Sequence, residues 1–285
     1  MTRRRLLLLL AAAAAGCGRK SAAASPADAR RVVSMAPSTT EALFAVGAGD
    51  RVVGRSAFCD WPEAALKLPI VGGFATADVE VMLDLAPDLV VGVPSPTSGR
   101  IEEMLAARGV AAWFPRVDSL ATLEEMIVGM GKRTGHGAEG ARVAAAVEAR
   151  VMDVRRAVAA APAVRVMFVV GLSPVVVAGP GSFIDELMAL ANATNVVRDG
   201  GPWPKLGLEQ VVELDPDVIL DSSAAMGGTS QIGAEAPGWR DVHAVREGRV
   251  VALRDVRVLR PGPRVPQGFA VLARALHPAA QVPEE

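Results

Sequence analysis

Side chains able to do chemistry are few in this 285-residue chain, so their types and spacing carry the argument. There are two cysteines, Cys17 and Cys59, three histidines, His136, His243 and His277, and no tyrosine. The histidines are scattered without ligand-like spacing, which argues against a zinc or manganese site built on imidazoles; each reads as a surface histidine. Catalysis would need cleft cysteines, paired carboxylates or histidines. Cys59, read as a small buried hydrophobe, does not supply them. No enzyme is expected, and no cofactor or resident metal.

Carboxylates do recur in a pattern. Glu80-Val-Met-Leu-Asp-Leu-Ala-Pro-Asp-Leu-Val-Val aligns without a gap on Glu209-Gln-Val-Val-Glu-Leu-Asp-Pro-Asp-Val-Ile-Leu. Each copy reads as a short helix stopped before proline and followed by an aliphatic strand. In each, the first-turn glutamate has an acid four residues on, Asp84 after Glu80 and Glu213 after Glu209, so two like charges share one helix face. That placement costs a few tenths of a kcal/mol and is nevertheless kept twice. Two acidic knobs suit a two-fold symmetric partner with basic sockets.

The informative aromatics fall in loops: Phe58-Cys59-Asp60-Trp61-Pro62, Gly72-Gly73-Phe74 and Gly201-Pro202-Trp203-Pro204. A tryptophan between two prolines sits on a restricted backbone and offers a large flat apolar surface at little ordering cost, which suits a flat macrocycle. Trp61, Trp113 and Trp239 read as packing residues. Near the C-terminus, the run from Arg254 to Arg264 concentrates charge and turn residues in one loop. One of Asp255 and Arg260 is expected to face a ligand, and Arg264, beside Gly and Pro, reads as a helix entry.

The elements that must position these residues alternate between strand and helix. Aliphatic runs at Arg31 to Met35, Arg51 to Gly54, Asp88 to Val93 and Val110 to Pro115 read as strands, and the rhythm restarts at Val164 to Val170, Val175 to Ala178, Asp217 to Asp221 and Arg249 to Leu253. Strands separated by helices imply parallel sheets covered on both faces, hence two α/β lobes, 31–118 and 163–285. Between them lie connecting helices over 119–162. Val143, Val147, Val151, Val154 and Val158 form an apolar seam at intervals of four and three. The spacing predicts a helix from about Ala138 to Ala160, about 34 Å long at 1.5 Å per residue. That is long enough to join the lobes and leave a ligand cleft between them, and stiffer than a strand hinge.

The chain begins with three arginines, five leucines and five alanines before Gly16 and Cys17. A basic start and a short apolar run ending in small residues is an export signal, too short to span a bilayer. Residues 1–16 are expected to be the signal and 17–30 a flexible tether. Removing the signal moves the formal net charge from −1 to −4, which leaves no basic surface for nucleic acid. If Cys17 is modified, Cys59 is left with no disulfide partner within the chain. The arrangement around Cys17 resembles a bacterial lipobox, with Ala14 where leucine is usual. The resemblance implies that Cys17 carries a lipid and places the protein outside the cytoplasmic membrane, anchored to it.

Further segments carry a wider resemblance: Arg31-Val-Val-Ser-Met-Ala-Pro-Ser-Thr-Thr-Glu41, Cys59-Asp60-Trp61-Pro62, both Glu…Pro-Asp copies, Pro202-Trp203-Pro204 and Arg260-Pro261-Gly262-Pro263-Arg264. In these the chain resembles the cobalamin-binding members of the helical-backbone periplasmic binding proteins, whose relatives bind ferric siderophores and haem. The resemblance implies that Pro37, Phe58 and Phe74 from the first lobe and Trp203, Asp255 and Arg260 from the second line the cleft. It further implies that Glu80 and Glu209 engage arginines of a two-fold ABC permease with its ATPase subunits, and that a monomer hands over cobalamin or another corrinoid. Phe58 and Phe74 stand where a tyrosine and a tryptophan are familiar, and the chain is shifted around Arg257 to Arg260. A siderophore reader would use several cleft arginines, which Arg257, Arg260 and Arg264 leave open. A haem reader would want an axial tyrosine or histidine. A chelatase-like enzyme is the rival from another class.

Overall fold

The computed structural model describes residues 27–73, 76–226, 230–233 and 235–283. Cys17, the signal, residues 17–26 of the tether, and Phe74 lie outside them; the expected flexible tether to residue 30 is corrected at its end, where Ala29 is fully buried with its amide on the Arg133 carbonyl and Asp28 pairs with Arg51.

The first lobe runs β1 (Val32–Ser34), α1 (Pro37–Ala45), β2 (Val52–Arg55), α2 (Val79–Asp84), β3 (Leu89–Val91), α3 (Ser98–Ala106) and β4 (Ala111–Trp113). Its sheet has the order β2-β1-β3-β4, and every pair is parallel. Successive residues point to opposite faces, and both faces are covered, so the strands read as continuous aliphatic runs rather than alternating ones. Val33 and Val90 pack on one side with Met82, Ile101 and Leu105 from α2 and α3. Val32, Leu89 and Val91 pack on the other with Ala42 and Leu43 of α1.

Two antiparallel helices follow, α4 (Leu120–Arg133) and α5 (Gly137–Val158). The turn between them uses Gly135 at φ 70°, a conformation that costs glycine nothing. Ser119 and Thr122 cap the start of α4 reciprocally.

The second lobe comprises β5 (Val164–Leu172), β6 (Val175–Val177), α6 (Phe183–Leu190), β7 (Ala193–Asn195), β8 (Lys205–Leu206), α7 (Leu208–Leu214), β9 (Val218–Asp221), α8 (His243–Arg246), β10 (Val250–Ala252) and α9 (Val265–Leu276). Strands β10, β9, β5 and β7 form a parallel ladder, while β6 folds back antiparallel on the later half of β5 and pairs with β8. The second sheet is therefore parallel with an antiparallel edge. β7 and β8 lie in segments without an aliphatic run.

One core joins the lobes. α4 begins where the Glu186 carboxylate of α6 accepts the Leu120 amide at 2.7 Å and ends where its Arg133 carbonyl accepts the Ala29 amide at 2.7 Å. All five valines of the α5 seam are buried, in the same cluster as Val32 and Leu89 of the first sheet and Val166, Phe168 and Leu220 of the second. α9 packs along α5 from the second lobe. Separating the lobes would mean bending helices whose apolar faces are already committed to this core.

The reading of all three histidines as surface residues needs correction at His277. It is buried at the end of α9, with Nε2 2.6 Å from the Ala191 carbonyl oxygen. A polar ring is accepted there because the carbonyl provides its partner.

Candidate functional site

The four first-lobe strands, and β5, β7, β9 and β10 of the second, are parallel within each sheet, so the loops leaving their carboxyl ends gather along one edge of each. Pro37 opens α1 just after β1 and is half-buried. The loop after β2 is pinned by Cys59, which is fully buried and lies 3.0 Å from the Thr40 hydroxyl and 3.2 Å from that of Ser56. With Cys59 anchored inside, its neighbours are driven outward. Phe58 is 51% exposed and Trp61 49%, large apolar surfaces left uncovered. The packing role expected of Trp61 is corrected by this exposure; its ring instead faces the Arg264 guanidinium at 4.8 Å, within cation–π range. Trp113 lies beneath the Arg133 guanidinium, and Trp239 is buried, as packing residues are.

Trp203 stands in the loop after β7 and is 50% exposed. The loop is fastened from behind, since the Gly179 amide donates to the Pro202 carbonyl at 3.0 Å and the Val177 amide to that of Pro204 at 3.2 Å. Gly179 permits this approach: a Cβ there would lie 2.2 Å from the Gly201 carbonyl oxygen and 2.8 Å from Pro204.

The loop after β10 meets the first lobe directly. Arg260 makes a two-pronged contact with Asp60, at 2.5 and 2.9 Å, and lies 3.6 Å from Glu41. Arg264 grips Glu41 at 2.5 and 3.0 Å, and Gly262 brings the backbone close enough that a Cβ would lie 3.4 Å from Ser38 Cα. The hydrogen bonds from Arg260 hold the Asp60 carboxyl below the usual carboxylate range, against the opposing effect of burial. Burial acts to lower the Arg260 pKa, but the Asp60 partnership outweighs it and raises it. Asp255 is held differently. Burial pushes its carboxyl up, yet the Arg257 side chain and backbone amide bring it below the ordinary value. It caps the turn at Val256–Leu259 and pairs with Arg257 at 2.7 Å.

The structure thus brings Arg260 of the second lobe to Asp60 in the loop that also carries Phe58 in the first. It places Trp203 and Asp255 in their own loops of the second lobe, and Pro37 beside Ser38, which Gly262 approaches. Sequence reasoning passed over Glu41 and Asp60, the carboxylates that receive the arginines. Both lie inside segments that carry the family resemblance, but their partners are 223 and 200 residues away.

Glu80 and Glu209 occupy the first turns of α2 and α7, exposed as are Asp84 and Glu213. Asp78 caps α2 by accepting the amides of Glu80 and Val81, at 3.0 and 3.2 Å. Gln210 reaches back to the Gly207 amide at 2.9 Å to start α7. A hollow of about 460 Å³ lies beside Glu80, and one of about 290 Å³ lies between α5 and α9; neither is lined by Phe58 or Trp203.

Comparison with known proteins places this arrangement. A model of the periplasmic binding protein family matches residues 32–256. The chain is 28% identical over 243 residues to the vitamin B12-binding protein of Vibrio cholerae, covering 85% of this chain and 87% of that one. It is 29% identical over 238 residues to the Yersinia pestis vitamin B12-binding protein, covering 83% and 82%. Among solved structures it resembles the periplasmic vitamin B12 binding protein BtuF of Vibrio cholerae, with a TM-score of 0.76 at 26% identity over 87% of this chain and 96% of that one. It is equally similar to the periplasmic heme-binding protein RhuT from Roseiflexus sp. RS-1, with a TM-score of 0.76 at 30% identity over 88% and 99%. Since the family model extends from the first strand to the loop beyond the last, the chain belongs to the periplasmic binding protein family.

Proposed function

We propose that this protein captures cobalamin or a related corrinoid outside the cytoplasmic membrane and delivers it to a two-fold symmetric ABC permease. The observation that carries the reading is the pair of half-exposed aromatics, Phe58 and Trp203, on loops at the carboxyl edges of the two sheets. Aromatic faces left in water cost apolar hydration that a flat ligand relieves. Pro37 and Phe74 would extend the apolar lining, and Asp255 and Arg260 would meet amide side groups. Because Arg260 is held by Asp60, a ligand group reaching it would compete with that carboxylate. Glu80 and Glu209 would dock on permease arginines, and Cys17 would hold the protein to the membrane through lipid. Capture and release need no covalent step, so the role is binding and not catalysis.

The relatives that bind vitamin B12 support corrinoid over haem, and so does the residue content. An iron porphyrin held through its metal needs an axial donor. The chain has no tyrosine, and none of its histidines belongs to the loops that carry Phe58 and Trp203: His136 lies beside Gly47, His243 opens α8 and His277 bonds the Ala191 carbonyl. A corrinoid arrives with its cobalt already coordinated. Titration of the purified protein with cyanocobalamin, cobinamide, haem and a panel of ferric siderophores, followed by absorbance and calorimetry, tests the reading. One-to-one corrinoid binding is expected; a siderophore or haem response without a corrinoid response would overturn the ligand and leave the family.

A further inference from the structure

The two Glu…Pro-Asp copies share a clamp as well as a sequence. Val32 of β1 pairs with Leu89, and Val166 of β5 pairs with Val218. Leu89 and Val218 hold the same place in the repeat, so Arg31 and Arg165, each one residue earlier, are equivalent positions in the central strands. Arg31 Nε donates to the Leu85 and Ala86 carbonyls at 3.1 Å each, and its Nη2 to Leu85 at 2.8 Å. Arg165 donates to the Leu214 carbonyl at 2.7 Å and to that of Asp215 at 2.8 Å. Leu85 corresponds to Leu214 and Ala86 to Asp215. The aspartates after the prolines match too: Asp88 accepts the amides of Arg30 and Arg31 at 2.8 and 3.1 Å, and Asp217 accepts that of Arg165 at 3.2 Å.

The carbonyls gripped are those at the ends of α2 and α7, helices of six and seven residues. Helices so short do not stand alone in water; their direction is set by what fastens them. The glutamates sit in the first turn and the guanidiniums at the opposite end. Both arginines are exposed, so burial is not what places them. A cation at a helix C-terminus also suits the dipole there.

We propose that Arg31 and Arg165 are a matched pair of positioning residues that fix the directions of α2 and α7, and so the spacing at which Glu80 and Glu209 are presented to a two-fold permease. This rests on the docking role proposed above for the two glutamates. A partner with symmetric sockets engages both acids only if neither helix swings, since the second contact gains from the first solely when geometry allows both.

The test uses the full-length protein carrying Arg31→Gln, Arg165→Gln, both together, or lysine at each position. Three quantities are measured: amide hydrogen exchange over residues 79–85 and 208–214, affinity for cyanocobalamin, and the concentration that half-maximally stimulates ATP hydrolysis by a corrinoid permease–ATPase complex in nanodiscs. In each glutamine variant, exchange of the matching helix should rise about tenfold with the rest of the chain unchanged. Ligand affinity should stay within about twofold, while the half-maximal concentration rises about tenfold in the double variant, less in the singles, with partial rescue by lysine. Unchanged exchange, or docking that stays normal although protection is lost, overturns the clamp. Should the double variant fail to fold, the singles carry the same two readings. Glu80→Arg with Glu209→Arg separates the failures: if that variant docks normally, the docking reading falls and the clamp with it, whereas impaired docking there beside normal docking of the arginine variants removes the clamp alone.

Discussion

The Glu41 carboxylate, 2% exposed, accepts two hydrogen bonds from the Arg264 guanidinium across the two lobes, at 2.5 and 3.0 Å. Removing one partner of a buried pair leaves the other charge desolvated, which costs more than the pair itself contributes. Arg264→Ala should therefore lower unfolding stability by about 2 to 4 kcal/mol, the lower part of the range reflecting the partial exposure of Arg264. Glu41→Gln should cost at least as much, because Arg260 loses its second carboxylate as well. Urea unfolding followed by circular dichroism measures both; a shift of either midpoint equivalent to less than about 0.5 kcal/mol would show that the lobes are held without this pair.

Trp203→Ala removes an aromatic face that is half in water. Little stability should change, about 0.5 kcal/mol or less, while corrinoid affinity falls by about 1.5 to 3 kcal/mol. Gly179→Ala provides an independent route to the same loop, because the new Cβ would collide with the Gly201 carbonyl and Pro204. Its backbone neighbours cannot yield cheaply, so the loop should shift and affinity fall without any ligand contact being deleted. Calorimetry with cyanocobalamin decides it: wild-type affinity in both variants would remove Trp203 from the site.

Asp60 and Arg260 give a prediction with a sign in pH. The folded Asp60 pKa is depressed, so the pair contributes stability above the unfolded carboxylate pKa of about 4 and loses it as pH falls through the lower folded value. The stability difference between wild type and Asp60→Asn should thus be flat above about pH 5 and shrink below about pH 4. Asp60 is largely exposed, so the plateau should be only about 0.2 to 1 kcal/mol. Ligand binding gives the opposite sign. If a corrinoid side group competes for Arg260, Asp60→Asn removes the closer of its two carboxylates, leaving Glu41 at 3.6 Å, and should tighten binding about two- to fivefold at neutral pH. Weaker binding in that variant would mean that the pair shapes the cleft rather than blocking it.

The sequence was most readable where a local pattern had one structural solution. The seam from Val143 to Val158 is a helix because its spacing fits one buried face, and the aliphatic runs of β1, β3, β5 and β9 are strands buried on both sides. β7 and β8 have no such signal, because Ala193-Thr-Asn and Lys205-Leu carry no aliphatic run; β5 and β6 recruit them by pairing. The exposed faces of Phe58 and Trp61 and the burial of Cys59 follow from one anchored thiol in a loop, below the resolution of any periodicity. Glu41 with Arg264 and Asp60 with Arg260 are set by how the lobes meet, which no window of sequence contains. The repeat made Glu80 and Glu209 visible, but the clamp behind them needed strand register to identify Arg31 with Arg165.

That register also separates two residues that look alike in backbone. Ala86 and Asp215, equivalent in the repeat, both adopt positive φ before a proline, at 45° and 38°. An L residue pays for that conformation about 1 kcal/mol more than glycine does. Ala86 is exposed, so Ala86→Gly should stabilise the protein by about 0.5 to 1 kcal/mol, less whatever glycine adds to the freedom of the unfolded chain. Asp215 is not free to follow, because its carboxylate accepts the His243 amide at 2.7 Å and so fastens the start of α8. Asp215→Gly gains the same relief and loses a charge-assisted hydrogen bond of about 1.5 to 3 kcal/mol, for a net destabilisation. Asp215→Asn, which tolerates positive φ and keeps an acceptor, should fall between the two. Thermal unfolding of the three variants should order them Ala86→Gly, Asp215→Asn, Asp215→Gly from most to least stable. If Asp215→Gly matches Ala86→Gly, the bond to His243 contributes nothing and only the backbone conformation is shared.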